Sequence, residues 1–329
     1  MGFLNNRINL TVDYYHKKTR DLLQDVKIPS STGFGSMMVN SGHITNEGLE
    51  LTGKFYVLQN TPLKWNIDAN ISFNRNRIGG LKADQFAQKL WSSADEVFIQ
   101  RNGCPIGAIY GYVEDGFYDN LAEVMASPSA DIRAKGAGMI GEIKYRNFDD
   151  NPDITSADRV IIGDTNPDFV YGLTSNFEWK GVTLSFFLQG SQGNDIFNGN
   201  LMDMKMGNVG NITREAYNTR WTEANATQAK WPKAVSGYER NMLISNRYVE
   251  DGSYLKLKSL NIGYVWKPNF KGISNVNVYA SATNLFTITG YSWFDPEVNA
   301  FGSDASRRGV DVYSYPSSRT FSLGIKVDF

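Results

Sequence analysis

The sequence predicts an all-β protein: a segment of eight or ten strands from an antiparallel transmembrane β-barrel. Several stretches alternate apolar and polar side chains, which is the period of a strand with one polar face. The connections between them alternate between short turns and long loops, as in outer-membrane barrels. The last ten residues, 320–329, form such a stretch and end on an aromatic side chain.

Composition excludes several classes of protein. The 329 residues carry 33 basic and 34 acidic side chains, whereas nucleic-acid-binding proteins normally show a basic excess. The sequence has no run of about 18 apolar residues, so it predicts no transmembrane helix. A barrel strand, however, needs only about 9–11 residues. Aromatic residues reach 13% and there are 31 glycines, which is typical of strands, turns and aromatic girdles. The single cysteine, Cys104, excludes an intrachain disulfide.

Three strands are predicted in the first quarter of the chain, over residues 6–17, 46–59 and 63–75. The third is the clearest, because every odd position from Leu63 to Phe73 is apolar and every even position is polar. The turn between the second and third strands is short, so these two form a hairpin.

Five strands are predicted in the second half, and long loops separate some of them. The strands cover 168–179, 182–190, 253–267, the stretch that begins at Val276, and 320–329. The apolar parity changes within 253–267, so we expect a bulge near Ser259. The long loops are predicted at 18–42, 191–250 (with a helical turn at 214–220) and 288–317.

Residues 76–167 lack a clear alternation. They contain an extended run at 97–118 that glycines interrupt, and a segment at 120–140 with room for a short helix. If the short turns are periplasmic, the strand before this region runs outward and the strand after it runs inward. The region therefore contains either no wall strand or two, which gives the total of eight or ten.

The last strand has an expected role in assembly. Its apolar face consists of Phe321, Leu323, Ile325, Val327 and Phe329. The loop lengths place the chain end at the periplasmic edge. In outer-membrane proteins a terminal strand of this kind is the signal that the barrel assembly machinery reads, and we expect the same role here.

Ten short motifs occur in order along nearly the whole chain. They are Tyr14–Leu23, Asn46–Glu50, Tyr110–Tyr118, Gly141–Tyr145, Ile162–Pro167, Arg220–Thr222, Ser253–Lys258, Thr283–Phe286, Phe294–Glu297 and Tyr315–Phe321. Together they resemble the C-terminal part of the SusC/RagA family of TonB-dependent outer-membrane transporters, of the Bacteroidetes kind.

The resemblance implies a plugged barrel of about 22 strands that imports bulky nutrients, either glycans and oligosaccharides or peptides. TonB would supply the energy and a SusD-like lipoprotein would act as a lid. Residues 1–329 would be the C-terminal portion of the barrel. In proteins of this kind the plug and the TonB-contacting segment belong to the N-terminal part, so both would lie outside this chain. The first residues of the chain do not form a signal peptide, so we expect it to be part of a longer protein or an engineered one. The chain would then be a natural or an engineered fragment.

Residues 147–158 resemble a calcium-binding loop. Oxygen-bearing side chains occupy positions one, three, five, seven, nine and twelve, as the ligands of a hard cation do. They are Asn147, Asp149, Asn151, Asp153, Thr155 and Asp158. Pro152 replaces the usual turn glycine and an Asp replaces the final Glu, so a solvated acidic turn is the alternative interpretation. No other cofactor is expected.

Aromatic side chains in the predicted external loops and the region before residue 167 are candidates for ligand or lid contact, because flat rings stack on sugars and pack on partner proteins. They are Trp91, Trp221, Trp231, Tyr238, Tyr291 and Trp293. Packing within the loops is the alternative interpretation. Trp65, Trp179 and Trp266 instead lie near predicted periplasmic strand ends, where interfacial girdles form.

No catalytic constellation is apparent in the sequence. It has two separated histidines and no nucleophile-elbow or P-loop motif, so we expect no enzymatic activity. Lys256 and Lys258 are interpreted as polar residues of the inner wall. Two other functions remain open: a soluble all-β carbohydrate-binding module, and a passive outer-membrane pore.

Overall fold

The computed structural model describes residues 1–27, 30–40, 42–89, 96–206, 211–235, 243–269, 272–302, 304 and 307–329. The strands of this part, in chain order, are β1 (Gly2–Phe3), β2 (Ile8–Arg20), β3 (Leu23–Lys27), β4 (Ser36–Asn40), β5 (His43–Leu58), β6 (Leu63–Gly79), β7 (Gln85–Lys89), β8 (Glu96–Gln100), β9 (Ala108–Gly111), β10 (Glu114–Phe117), β11 (Ile143–Tyr145), β12 (Val160–Asp164), β13 (Phe169–Trp179), β14 (Val182–Gln192), β15 (Asp195–Asn198), β16 (Val249–Asp251), β17 (Tyr254–Trp266), β18 (Asn275–Thr289), β19 (Val310–Asp311) and β20 (Thr320–Asp328).

Helices are few and short. They are α1 (Leu121–Ala126), α2 (Ala130–Lys135), α3 (Gly199–Met206) and α4 (Arg214–Thr219), with 3-10 turns at Ser30–Thr32, Gly136–Met139, Ser156–Asp158, Ala226–Gln228 and Asn246–Tyr248. In the part of the chain described here, no helix has the length and apolar character needed to cross a membrane.

The wall is a nine-stranded antiparallel sheet in the order β1-β2-β5-β6-β13-β14-β17-β18-β20. Strand β1 has only two residues, so eight long strands form the wall. β6 pairs directly with β13, from Leu63 opposite Trp179 to Ser72 opposite Val170. This pairing decides between the two predicted totals: residues 80–167 add no strand to the wall, and the number is eight. Within the described residues β20 pairs only with β18, so the sheet stays open and does not close into a smaller barrel.

The two faces of the wall have opposite chemistry. One face is apolar along most of each strand, and much of it is exposed, with Leu323 at 80% and Val12 at 65%. The other is polar and faces the folded loops. We call the apolar face the outward face and the polar one the lumen face. The strand pairing aligns apolar residues across almost the whole sheet, in the row Val12, Leu51, Ile71, Tyr171, Gly190, Leu255 and Ile288.

The predicted strands are confirmed, but the first long loop is shorter than predicted. β2 continues to Arg20, β5 begins at His43, and β3 and β4 form a hairpin between them. A period-two pattern stops being visible where strand residues become polar on both faces, which explains the underestimate. The predicted bulge is confirmed by a register shift between Leu257 and Ser259. Helices α1, α2 and α4 confirm the predicted helical segments.

The described residues of 80–167, 193–253 and 290–319 pack together at one end of the wall, and we call this unit the outer assembly. β15 joins its parts, because Phe197 pairs with Val249 of β16 on one side and with Val310 of β19 on the other. The core of the assembly consists of Val97, Phe98, Ile109, Tyr112, Ile143, Tyr145, Phe197, Leu201, Met202, Ala216, Trp231, Ile244, Tyr248 and Val310. These connections therefore form a folded domain with its own apolar core.

Candidate functional site

A buried ion cluster fastens the outer assembly to the lumen face of β17. The Nζ of Lys256 lies 2.8 Å from Oδ1 of Asp295 and 2.5 Å from Oε2 of Glu297. Lys258 donates to the same glutamate oxygen at 2.7 Å, and the hydroxyl of Tyr254 donates to its other oxygen at 3.0 Å. The side chain of Lys256 is only 2% exposed, so this cluster is an internal anchor. The anchored loop covers residues 290–319.

The Phe294–Glu297 motif supplies both carboxylates, and backbone amides also donate hydrogen bonds to Asp295. The amide N–H of Glu297 donates to Asp295 at 3.0 Å, and that of Ser317 donates to the same carboxylate at 3.1 Å. Burial alone would raise the pKa of Asp295, but hydrogen bonds from Lys256 and Ser317 outweigh it and lower that pKa to about 2. The pKa of Glu297 is also lowered, because the two lysines overcome its desolvation. Both carboxylates are charged at neutral pH.

The anchor should weaken in acid. Carboxylates whose pKa is lower in the folded than in the unfolded state stabilise the fold fully above their ordinary pKa of about 4, and this contribution is lost as pH falls towards the folded value. We expect hydrogen-exchange protection of residues 290–319 in the full-length protein to be constant above pH 5 and to fall between pH 4 and about 2. The double variant Asp295→Asn/Glu297→Gln should lack this pH step. Equal protection at pH 5 and pH 2.5 in the parent protein would contradict the assignment.

Two further polar contacts hold the outer assembly together. Arg247 forms a two-point ion pair with Glu114, with nitrogen–oxygen distances of 2.9 and 2.5 Å, and both side chains are largely buried. The hydroxyl of Tyr291 donates to Asp311 at 2.7 Å, and burial followed by this contact raises the pKa of the tyrosine. These groups link segments more than 100 residues apart in one case and 20 in the other, so sequence spacing gave no signal for them.

The structure shows where four of the six candidate aromatics lie. Trp221 and Trp231 are each 7% exposed and Tyr291 is 5% exposed. The indole of Trp221 donates to Asp119 at 2.9 Å. Trp293 is partly buried and packs against the core of the outer assembly. Their burial favours the packing interpretation for these four, and the ligand- or lid-contact role stays a prediction.

The remaining two candidate aromatics, Trp91 and Tyr238, lie outside the described residues. The sequence analysis did not select the exposed aromatic residues of the loop 290–319, because they follow no periodic pattern. Phe294 is 70% exposed, Tyr313 is 53% exposed and Tyr315 is 93% exposed. These three rings present more surface to a partner than the buried residues do.

The acidic loop 147–158 is held by its own side chains. Asn147, Asp149 and Asn151 each accept a hydrogen bond from the amide two residues ahead, at 2.9–3.1 Å. Asp158 accepts from the amides of Phe148 and Thr155 at 2.7 and 2.8 Å. Among the described residues no group of three or more His, Cys, Asp or Glu is arranged to hold a metal ion. Only the spacing supports calcium binding, which stays a prediction.

Chelation tests the calcium prediction. If the loop binds calcium, EDTA should lower the melting temperature of the full-length protein, and Asp149→Asn should remove that effect. Asp158→Ala should destabilise the loop with or without calcium, by about 1–3 kcal/mol, because two partly buried backbone N–H groups lose their acceptor. A melting temperature that does not respond to EDTA would leave the acidic turn as the correct interpretation.

No protein-family model matches the chain, but individual proteins are similar along its whole length. TonB-dependent receptor P3 of Formosa agariphila is 34% identical over the entire chain, and SusC of Bacteroides thetaiotaomicron is 29% identical. The chain is thus similar along its whole length to TonB-dependent receptors of the SusC/RagA kind. It spans about a third of the length of these relatives, 33% of the first and 31% of the second.

Solved structures of the RagAB peptide transporter have the same fold as this chain. One matches the whole chain with a TM-score of 0.75 at 24% identity, covering 34% of that protein. The closed-closed state of the RagAB peptide importer gives a TM-score of 0.74 at 25% identity, again over 34% of its chain. These matches confirm the predicted fold class, an antiparallel wall belonging to a larger TonB-dependent barrel.

The closing strand of the chain, β20, presents its apolar face to the outside. Phe321, Leu323 and Ile325 are at least 68% exposed, Val327 is 38% exposed and Phe329 is 91% exposed. This exposure suits lipid contact, and the role of the strand as an assembly signal stays a prediction. Replacing Phe329 with Ala in the full-length protein should lower its level in the outer membrane, with Phe286→Ala, an exposed aromatic on the neighbouring strand, as the control. Unchanged assembly of the Phe329→Ala variant would contradict a signal role.

The lumen face of the wall contains a polar cavity of about 390 Å³. Side chains of β5, β6, β13 and β14 contribute to its lining, among them Glu50, Thr52, Ser72 and Gln189. The cavity offers hydrogen-bond donors and acceptors.

At the end of the wall away from the outer assembly, near the short turns, aromatic rings occupy the positions predicted for an interfacial girdle. Trp179 and Trp266 are 50% and 49% exposed. Trp65 stacks on Phe177 with ring centroids 5.3 Å apart. Amphipathic rings at this level are typical of membrane–water interfaces.

Proposed function

We propose that the full-length protein to which this chain belongs is an outer-membrane importer of bulky nutrients, oligosaccharides or peptides, energised through TonB. The observation that carries the proposal is the similarity of the whole chain to SusC/RagA-type receptors, combined with a wall whose outward face is mostly apolar and whose lumen face is polar. A soluble protein of this size would bury that apolar face, whereas a lipid-facing barrel wall exposes it.

The outer assembly supports a role in capturing large solutes. Its loops have a core of their own, and the ion cluster of Lys256, Asp295 and Glu297 ties the loop 290–319 to the lumen wall. A rigid rim at the mouth of a barrel can hold a binding surface in place without paying for its ordering on each binding event.

A SusD-like lipoprotein is the proposed partner of this rim. The exposed rings of Phe294, Tyr313 and Tyr315 suit such a contact, because aromatic side chains are enriched at the centres of protein interfaces. The proposed TonB contact and the plug belong to the part of the protein outside this chain. Glycan and peptide remain the two candidate substrate classes.

The experiment is uptake in cells that express the full-length gene, with labelled oligosaccharides and oligopeptides as substrates. We expect uptake of one class that requires both this gene and TonB. Uptake that persists without TonB would favour a passive pore. Recovery of the protein in the soluble fraction as a folded monomer would favour the carbohydrate-binding module.

The class of compound that is taken up identifies the substrate class.

The proposed lid contact is tested by co-purification. A Tyr315→Ala/Phe294→Ala variant should co-purify less of the lipoprotein lid, while its level in the membrane stays unchanged. The matched control is Tyr264→Ala, an exposed aromatic on the outward face near the short turns.

A further inference from the structure

The outward face has an apolar recess of about 710 Å³ on β2, β5, β6 and β13. Gly53 and Ala69 face each other across β5 and β6 and lie between Leu10 on one side and Leu173 on the other. The small residues leave a depression that larger apolar side chains surround. The surrounding apolar residues are Leu10, Val12, Leu51, Phe55, Ile71, Phe169, Tyr171 and Leu173.

Beyond this recess, the outward positions of the same strands become basic. Strand pairing aligns Lys18, Thr45 and Arg77 in one row across β2, β5 and β6. Lys18 and Arg77 are exposed, and no ion pair to either is found among the described residues. Two strand spacings separate them, about 9.6 Å, so both long side chains can reach one anion, with the hydroxyl of Thr45 between them.

The row nearer the recess carries compensated charge. His16 lies 2.9 Å from Glu47, and Arg75 lies 2.6 Å from Asp168. The uncompensated positive charge therefore lies in the row of Lys18 and Arg77, and exposed Arg20 follows two residues later on the same face of β2. It is also local to this part of the wall, because beyond the level of the recess no outward position of β13, β14, β17 or β18 is basic.

The spacing of residues along β6 matches the thickness of the apolar part of a membrane. Trp65 lies six residues before Ile71, and Arg77 lies six residues after it. Six residues of a strand tilted by about 40° rise about 15 Å along the membrane normal, slightly more than half of an apolar band about 25 Å tall. With the recess near the middle of the membrane, Trp65 lies at one interface and the basic row lies at the other, where lipid phosphates are found.

We propose that this surface binds a phosphorylated lipid of the outer leaflet, with the phosphate held by Lys18, Thr45 and Arg77 and an acyl chain lying in the recess. A basic pair above an apolar depression complements the charge and shape of such a lipid, whereas a soluble anion would use only the basic row. The inference rests on the proposed outer-membrane location.

The test uses the purified full-length protein in detergent, with monophosphoryl lipid A as the probe and native mass spectrometry as the readout. We expect Lys18→Gln/Arg77→Gln to weaken binding roughly tenfold or more, which corresponds to about 1.4 kcal/mol or more. Ala69→Phe should fill the recess and weaken binding of the lipid. The dephosphorylated lipid should bind the unaltered protein as weakly as the phosphorylated lipid binds the double variant.

The matched control is Lys17→Gln/Lys54→Gln, because these two lysines lie on the lumen face of the same strands. Equal loss in this control, or full binding by the Lys18→Gln/Arg77→Gln variant, would overturn the proposal. Displacement of the lipid by millimolar inorganic phosphate, with no effect of Ala69→Phe, would assign the row to free phosphate and would also overturn it. The assay measures lipid retention without transport, so failure of the import proposal is separately visible.

Discussion

Replacing Lys256 with Met should release the loop 290–319 from the lumen wall. The substitution keeps the volume of the side chain close to that of lysine but removes the charge that Asp295 and Glu297 share. Loss of one partner from a buried ion cluster typically costs about 3–5 kcal/mol, because the remaining charges stay desolvated. We expect limited proteolysis of the full-length protein to cut within this loop at low protease concentration, while the wall remains protected.

The control for this prediction is Lys326→Met. Lys326 also lies on the lumen face, but its side chain is 68% exposed and lies 3.2 Å from a partly exposed Asp328, and exposed pairs contribute about 0–1 kcal/mol. The triple variant Lys256→Met/Asp295→Asn/Glu297→Gln should be more stable than Lys256→Met alone, since it removes the unpaired charges as well. If the single and triple variants were equally sensitive to protease, the anchor would not be electrostatic.

Replacing Phe197 with Ala should unfold the outer assembly while the wall stays intact. Phe197 is fully buried, and its ring centroid lies 6.1 Å from that of Tyr248, which is also fully buried. It sits on β15, the strand that pairs with both β16 and β19. Truncating a buried phenylalanine costs about 3–5 kcal/mol through lost burial and the cavity left behind. We expect new protease sites in all three loop segments of the outer assembly.

Phe321→Ala provides the comparison, because that ring is 68% exposed on the outward face and contributes nothing to the loop core. The wall should keep its resistance to heating in detergent in both variants. Cleavage confined to residues 193–253 in the Phe197→Ala variant would show that the loops fold independently, which would contradict a single outer assembly.

The alternation of side chains determined the wall. A period of two is a local property of the chain, and a strand with a lipid face and a polar face must show it wherever it crosses the membrane. Residues 63–75 and 320–329 therefore revealed their strands, their faces and, through the loop lengths, their directions. The phase change near Ser259 revealed even the bulge. The ten motifs added the resemblance to SusC/RagA-type transporters.

The number of wall strands required the tertiary structure. Residues 76–167 contain real strands, and sequence alone could not tell whether these cross the membrane or fold outside it. Their burial in an apolar core with Phe197 and Tyr248 is a non-local contact, and local periodicity carries no information about such contacts.

The ion cluster around Lys256 could not be predicted for the same reason, because its contacts are also non-local. The parity of Lys256 placed it on the lumen face, but its carboxylate partners lie 39 and 41 residues later in the chain, and nothing in the spacing pairs them. Likewise, Trp221 and Trp231 are of a residue type typical of binding surfaces, but in the structure they are buried in the outer assembly. Local alternation is thus enough to predict which strands form the wall and which of their faces is apolar, because each strand encodes both properties itself. Which loop residues are anchors and which remain exposed follows from the folded structure alone, because burial depends on chain segments that are distant in sequence.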